Sequence, residues 1–184
     1  MRIIAGKFRG RRLSPPINNE ITRPTTDMAR ESLFNILNNR FDFDEIKVLE
    51  LFGGTGSHSY EFLSRGTTDV TYVDKNPACV AFVKKTAAQL EVEDNLRIFQ
   101  MDAFKFIEMH KEKYDFIFAD PPYALPGLDL IPTKVLDSQL LNDDGLFILE
   151  HGQTTNFKNH PHCHEIRNYG KTFFSFFKNE KKEE

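Results

Sequence analysis

Residues 115–123, Asp-Phe-Ile-Phe-Ala-Asp-Pro-Pro-Tyr, restrict the fold of this chain more than any other stretch. Phe116, Ile117, Phe118 and Ala119 form an apolar run without alternation, as expected of a central strand covered on both faces of a parallel sheet. Pro121 and Pro122 cannot donate ladder hydrogen bonds and hold φ fixed, so the strand must stop at Asp120. It passes there into a stiff, donor-poor turn. In open α/β sheets, ligands bind at this carboxyl end.

The turn combines a carboxylate, two proline carbonyls with no N–H of their own to compete, and an aromatic ring. Such a set can grip a planar group that carries an NH2. The lone pair of an exocyclic base amine is delocalised into its ring. Acceptors on its hydrogens draw the nitrogen toward sp3 geometry while Tyr123 stacks on the base. Asp120-Pro121-Pro122-Tyr123 resembles the signature of amino-methyltransferases that use S-adenosylmethionine (SAM). The plain alternative is a strand followed by an ordinary Pro-Pro turn.

Upstream, Ile46, Val48, Leu49 and Leu51 predict a first core strand running into Glu50-Leu51-Phe52-Gly53-Gly54-Thr55-Gly56. A helix over about 57–65 then presents its free N–H groups to whatever the loop binds. A dinucleotide loop would read Gly-x-Gly-x-x-Gly, but Ser59 stands at the third position, which disfavours a nicotinamide cofactor. The acid-x-x-x-Gly-x-Gly spacing resembles SAM-binding first loops, in which the carboxylate faces the methionine amino group. Val70, Tyr72 and Val73 predict a second strand, with Asp74 at its end suited to two hydrogen bonds from a ribose diol. Asn76-Pro77 opens a helix with a core face of Val80, Phe82, Val83, Ala87 and Leu90, and Cys79 reads as packing. Leu96, Ile98 and Phe99 predict a third strand, followed by Asp102 and Ala103. In SAM enzymes of this architecture an acid here accepts from the adenine amine; Asp102 can equally cap a helix over 103–110.

Beyond the proline turn, residues 128–136 and 138–141 read as helical or turn segments limited by Pro132, and Asn142-Asp143-Asp144-Gly145 as a turn. Leu146 to Leu149 predict a fifth strand with Glu150 and His151 at its end, where His151 is expected to hydrogen-bond rather than serve as a base. His160-Pro161-His162-Cys163-His164 lacks a distant partner set, so no metal is expected. Residues 163–169 and 172–178, joined at Gly170, predict a closing hairpin.

The net charge of −3 is unevenly spread: residues 1–40 carry eight Lys/Arg against three acids, a balance of +5, which leaves −8 for the rest. Arg2 to Leu13 alternates loosely and predicts a short β-hairpin that projects Lys7, Arg9, Arg11 and Arg12 as a phosphate-contacting arm. A solvated basic face without a partner is the bland alternative. Arg23-Pro24-Thr25-Thr26-Asp27 precedes a helix capped by Thr26 or Asp27, and its polar density also suits a flap over a ligand. Met28, Leu33, Phe34, Ile36 and Leu37 are expected inward, with Arg30, Glu31 and Asn35 outward. Cys79 and Cys163 suggest no disulfide framework. No apolar run is long enough to cross a bilayer and no signal-peptide core opens the chain, so a cytoplasmic, membrane-free protein is expected.

Taken together, residues 1–13, Arg23 to Asp27, Glu50 to Gly56 with Leu63-Ser64-Arg65-Gly66, Asp120 to Tyr123 and the Tyr169-Gly170 hairpin resemble, in order and spacing, the RsmD family of 16S ribosomal RNA guanine-N2-methyltransferases. The resemblance covers essentially the whole chain. It implies a Rossmann-like, doubly wound, seven-stranded α/β sheet, mostly parallel with the last strand antiparallel. It implies an arm over 1–22, a methyltransferase domain over 23–178 and a charged tail over 179–184. SAM is the implied cofactor, held by Glu50, Phe52, Gly53, Gly54, Thr55, Gly56, Asp74, Lys75, Asn76, Asp102, Ala103, Thr25 and Thr26. Asp120, Pro121, Pro122 and Tyr123 would do the chemistry, and Lys7, Arg9, Arg11, Arg12 and Arg23 would hold 16S rRNA, within the assembled small subunit. A monomer is expected. In departure from the family's usual Asp-Leu-Phe-Ala-Gly-Ser/Thr-Gly loop, Glu50 lengthens the acid, Gly53 replaces alanine, and Ser57-His58-Ser59 follows. The rival readings are an amino-methyltransferase acting on DNA adenine N6 or protein glutamine, a ribosome-assembly factor that binds SAM without turnover, and a dehydrogenase.

Overall fold

The computed structural model of the chain describes residues 1–15 and 26–180. Seven strands, β1 (Lys47–Leu51), β2 (Asp69–Asp74), β3 (Leu96–Gln100), β4 (Tyr114–Ala119), β5 (Leu141–His151), β6 (Cys163–Tyr169) and β7 (Thr172–Phe177), form one sheet in the order β3-β2-β1-β4-β5-β7-β6. All pairs from β3 to β5 are parallel, and β7 runs antiparallel to both β5 and β6. The helices are α1 (Asp27–Asn38), α2 (Ser57–Ser64), α3 (Pro77–Leu90), α4 (Ala103–Met109) and α5 (Ile131–Asp137). Strand order reverses between β1 and β4, and a crevice opens at the carboxyl ends of such a pair.

The absence of alternation in the strands has a direct cause, because both faces of the sheet are covered. Val48, Phe116, Phe118, Leu146, Ile148, Phe174 and Phe176 pack with α1, α2 and α3, whereas Leu49, Ile117, Ala119, Phe147, Leu149 and Phe177 pack with α4 and α5. Successive residues of each strand therefore enter different cores, and both must be apolar.

Several expectations need correcting. Arg30 is not outward on α1 but 1% exposed, while Met28, expected inward, is 67% exposed. The reason lies in the arm and in α2. The Arg30 Nη2 donates to the Arg2 carbonyl at 2.6 Å and to Asp27 Oδ1 at 2.9 Å, and its Nε lies 3.7 Å from Glu61. Glu61 in turn accepts from the Ile4 N–H at 2.5 Å. Pro132 does not limit a helix from behind but sits in the first turn of α5, where its missing N–H costs nothing. Residues 142–145 belong to β5 as an excursion in its register, since Tyr114 pairs with Leu141 and Phe116 already with Leu146. At the far end Asn179 is tied back, donating to the carbonyls of Leu141 and Asn142 at 3.2 and 2.9 Å.

The arm is a minimal hairpin. Arg2 and Arg12 form one antiparallel bridge, flanked by Ile3 N–H to Arg11 O at 3.0 Å and Leu13 N–H to Met1 O at 3.0 Å. Ile3 and Leu13 point into the core, and the backbone docks on the end of α2 through Lys7 N–H to Ser64 O at 2.7 Å and Phe8 N–H to Ser64 Oγ at 3.0 Å.

Candidate active site

The loop after β1 is fastened to β2. Phe52, Gly54 and Gly56 have φ of 55°, 51° and 76°, so the chain turns back on itself, and the Gly53 N–H donates to the Val73 carbonyl at 3.0 Å. Asp74 receives the Gly54 N–H on one oxygen at 2.8 Å and the Asn76 N–H on the other at 2.7 Å. The Tyr72 hydroxyl donates to the Gly54 carbonyl at 2.6 Å. A Cβ at residue 53 would lie 2.3 Å from the Tyr72 ring. The Tyr72 ring fills the space that a side chain at residue 53 would need.

The acids at the strand ends are placed differently from one another. Asp74 is half-buried, and a carboxylate with about four lone-pair sites has two left after its backbone bonds. Asp102 is half-buried and caps α4, with both bonds, from Phe104 N–H at 3.0 Å and Lys105 N–H at 3.3 Å, on Oδ1. Lys75 is exposed, Asn76 caps α3 by accepting from Ala78 N–H at 2.9 Å, and Ala103 is buried in the first turn of α4. Glu50 lies beneath the loop, 1% exposed. One of its oxygens accepts from the Ser59 N–H at 3.1 Å and from the Ser59 hydroxyl, and the other lies 3.4 Å from His58 Nδ1. The departures Glu50, His58 and Ser59 are thus one buried unit. Thr55 is half-exposed, with its hydroxyl 3.6 Å from the Met1 sulfur, so the arm begins beside the glycine loop. Thr26 caps α1 by accepting from Ala29 N–H at 3.2 Å, whereas Arg23 and Thr25 lie outside the described residues, as does the loop expected after Pro15.

In the proline turn, the Asp120 N–H still donates to Leu51 O at 3.3 Å, which joins the turn to β1. Asp120 is half-buried, Pro121 buried and Pro122 exposed. The two proline carbonyls are not equivalent, because that of Pro122 accepts from Leu125 N–H at 2.8 Å. Burial, then the charges of Glu150 and Glu50, push the Asp120 carboxyl well above the usual carboxylate range. The Tyr123 hydroxyl donates to Glu150 Oε1 at 2.9 Å and lies 3.2 Å from Thr172 Oγ1. Its pKa is pushed up by burial and by Glu150, so the phenol keeps its proton.

Glu150, Gly152 and Thr172, which surround Tyr123, were not singled out as site residues by sequence reasoning. The available signal was an acid at the carboxyl end of β5, in the same position as Asp74 and Asp120 on theirs. His151 is buried at the end of β5, and it hydrogen-bonds: Nε2 lies 2.7 Å from Ser175 Oγ and Nδ1 lies 2.9 Å from the Gly152 carbonyl. The three histidines near Cys163 have separate partners, His160 with Thr133, His162 with the Lys178 carbonyl and His164 with the Glu180 carbonyl. A cavity of about 360 Å³ lined by His151, Lys158, Cys163, Ile166 and Phe173 holds none of the strand-end acids. On the arm, Lys7, Arg9, Arg11 and Arg12 are all exposed. Lys7 lies over the Phe8 ring at 4.8 Å, and Arg11 reaches the Gln89 carbonyl at 3.5 Å.

Comparison with known proteins fixes the family. The family model described as "Conserved hypothetical protein 95" matches residues 1–178. This chain belongs to the RsmD family. A Haemophilus influenzae relative named "Ribosomal RNA small subunit methyltransferase D" is 33% identical over 153 residues, covering 82% of this chain and 78% of that protein. The Escherichia coli (strain K12) protein of the same name is 31% identical over 150 residues, covering 82% and 74%. The solved structure of Escherichia coli YhhF superposes with a TM-score of 0.84 at 27% identity over 99% of each chain. Members of the RsmD family are SAM-dependent methyltransferases, and the residues present here fit that cofactor. SAM is cationic at sulfur and rich in donors, namely an ammonium, two ribose hydroxyls and an adenine amine. Asp74, Asp102 and Asp120 set acceptors at the ends of three of the four strands β3-β2-β1-β4. Among the described residues, no helix is long and apolar enough to cross a membrane, and no group of three or more His, Cys, Asp or Glu is placed to hold a metal ion.

Proposed function

We propose that this RsmD-family chain methylates the exocyclic N2 amine of a guanine in the rRNA of the small ribosomal subunit, in the cytoplasm and as a monomer. The observation that carries the reading is a half-buried acid, rather than an amide, at position 120. Guanine presents two adjacent donors, N1–H and N2–H, which a carboxylate can accept side by side. Adenine presents a donor beside an acceptor, which suits asparagine instead.

SAM supplies an electrophilic methyl group on sulfur. The Phe52–Gly56 loop, Asp74 with Lys75 and Asn76, and Asp102 with Ala103 would hold the cofactor at the ends of β1, β2 and β3. Glu50 would act on it from below, by fixing α2 against the loop through Ser59 and His58. Thr26, which caps α1, would close the pocket, with Thr25 as a further cofactor contact. Asp120 and the Pro121 carbonyl accept from the amine, and the Tyr123 ring stacks on the unstacked base. Most of the rate then comes from alignment, because methyl transfer needs the amine nitrogen nearly in line with the bond that breaks. Asp120 is also a suitable acceptor for the proton the methylated nitrogen sheds, since burial and two neighbouring carboxylates raise its basicity. Lys7, Arg9, Arg11, Arg12 and Arg23 hold phosphates, so binding weakens steeply with salt. Residues 1–22 serve as the RNA arm, 23–178 as the catalytic domain and 179–184 as a charged tail.

The test is to map N2-methylguanine in rRNA from cells with and without the gene, and from cells carrying Asp120→Ala. One N2-methylguanine lost from small-subunit rRNA in both the deletion and the mutant supports the reading. An unchanged methylation map in the deletion removes it.

A further inference from the structure

Helix α2 carries the cofactor loop at one end and the basic arm at the other. Gly56 precedes its first turn, and Glu50 holds that turn through Ser59. At the far end Ser64, its last residue, accepts the Lys7 N–H on its carbonyl at 2.7 Å. The Ser64 hydroxyl donates to the Ala5 carbonyl at 2.5 Å and accepts the Phe8 N–H at 3.0 Å. Gly6 lies so close that a Cβ there would fall 1.9 Å from the Ser64 carbonyl oxygen, and its φ of 80° would strain any other residue. A turn earlier, Glu61 is fully buried and accepts the Ile4 N–H at 2.5 Å. Arg30 and Arg65 flank that carboxylate at 3.7 and 3.4 Å, and Arg30 reaches on to the Arg2 carbonyl at 2.6 Å.

Each of these bonds meets the arm at its backbone: Arg2 and Ala5 through the carbonyl, Ile4, Lys7 and Phe8 through the N–H. The side chains of Lys7, Arg9, Arg11 and Arg12 are thereby left exposed. A basic segment this short has little core of its own, with only Ile3 and Leu13 buried. Unanchored, it would order only on meeting its ligand and would lose affinity to that ordering. Here the ordering is done in advance. A buried carboxylate is costly unless paired and hydrogen-bonded, and Glu61 has a guanidinium beside each oxygen and the arm's N–H on one of them. The arm runs along the whole of α2, from Met1 beside Thr55 to Lys7 at Ser64. Its cationic turn therefore stands about one helix length, roughly 12 Å, from the glycine loop.

We propose that Gly6, Glu61 and Ser64 are positioning residues for RNA: they fix the arm along α2 in advance, so that its cations meet phosphates at a set distance from the methyl donor. This role rests on the reading of the arm as the RNA contact. It adds that docking, separately from charge, carries part of the affinity. The three residues act through the arm's backbone and not on the RNA itself. A loosened arm keeps its charges and its count of phosphates but must be ordered on binding, which distinguishes it from an arm stripped of cations.

The experiment uses the full chain, labelled SAM and small ribosomal subunits from cells lacking the gene. It follows KM for subunits, the logarithmic salt slope of that KM, SAM affinity by calorimetry, and Tm. Gly6→Ala keeps every cation of the arm and should raise KM roughly ten-fold, with the salt slope of the wild type and SAM affinity within a few-fold. Ser64→Ala removes two of the docking bonds and should raise KM roughly three-fold. Glu61→Gln should follow Gly6→Ala and lose the most Tm, because Arg30 and Arg65 are left facing a neutral amide. A purely structural part for these residues would lower Tm and the active fraction but leave KM alone. A wild-type KM in folded Gly6→Ala protein therefore overturns the proposal, and where Gly6→Ala or Glu61→Gln fails to fold, a wild-type KM in Ser64→Ala does so. A salt slope as shallow as that of a protein with Arg9, Arg11 and Arg12 all replaced by alanine also overturns it. If that triple replacement itself leaves KM and slope unchanged, the RNA role of the arm falls and the docking role with it. A triple replacement that weakens binding beside docking variants that behave as wild type sinks the docking role alone.

Discussion

The two ends of the same sheet treat their acids in opposite ways. At the amino end Lys47, from β1, pairs with Glu112 and lies 3.5 Å from Asp69, while Arg97, from β3, reaches Asp69 at 2.9 Å and Glu112 at 2.5 Å. The Lys47 hydrogen bond, helped by Arg97, holds the Glu112 carboxyl down to about 2. At the carboxyl end Glu50 is met by a hydroxyl, a backbone N–H and an imidazole, Glu150 accepts from a phenol, and Asp120 is pushed up by burial beside both. The amino end sets its charges against one another. At the carboxyl end Asp120 is made more basic by burial and by the charges of Glu150 and Glu50, which suits a site that must accept hydrogens from a ligand.

The sharpest way to break this contrast is at Asp120. Asp120→Ala should cut methylation by roughly a thousand-fold, on the scale of losing a transition-state hydrogen-bonding group, while SAM affinity measured by calorimetry stays within a few-fold. Equal loss of both would move Asp120 into the cofactor pocket. The folded Asp120 carboxyl binds its proton more tightly than the usual value of 3.8, so the ionised form costs stability as pH rises through the folded pKa. Asp120→Asn should accordingly raise Tm at neutral pH, by roughly 3 °C, in a protein with little activity.

Next in size is the arm. Replacing Arg9, Arg11 and Arg12 by alanine together should weaken binding to small subunits and flatten its logarithmic salt dependence by about two to three, leaving SAM binding untouched. An unchanged salt slope would take the arm out of RNA recognition. A smaller effect is expected from Gly53→Ala. Its methyl would be driven into the Tyr72 ring, so stability should fall by about 1–3 kcal/mol in denaturant titrations, with SAM binding weakened alongside. The smallest belongs to the amino end. Glu112 has a folded pKa below its usual 4.5, so its contribution is full above that value and is lost as pH falls toward about 2. Glu112→Gln, a partly exposed network member, should lower Tm by only about 1–2 °C at pH 7, lose even that difference in acid, and leave methylation alone.

The sheet was legible in the sequence because burial on both faces writes itself as unbroken apolar runs, and the loop and turn because glycine and proline act on the backbone locally. The end of β6 and the start of β7 were fixed by Gly170 for the same reason. What depends on a partner far along the chain was not legible. A charged residue on an amphipathic helix reads as solvated, and only the approach of Glu61 and the arm makes Arg30 a buried one. The excursion at residues 142–145 reads as a turn because its composition is that of a turn, yet β5 begins before it. Glu150 was legible as an acid at the carboxyl end of β5, but its hold on the Tyr123 phenol was not.

The fit between Gly53 and Tyr72 also limits how this sequence can change. A side chain at 53 and a tyrosine at 72 compete for one volume, so a lineage passing between this loop and the alanine-bearing kind must trim the strand before it adds the methyl. Adding the methyl first would pass through an intermediate less stable by about 1–3 kcal/mol. A graft of the more common loop onto this chain should therefore carry its neighbour in β2 with it.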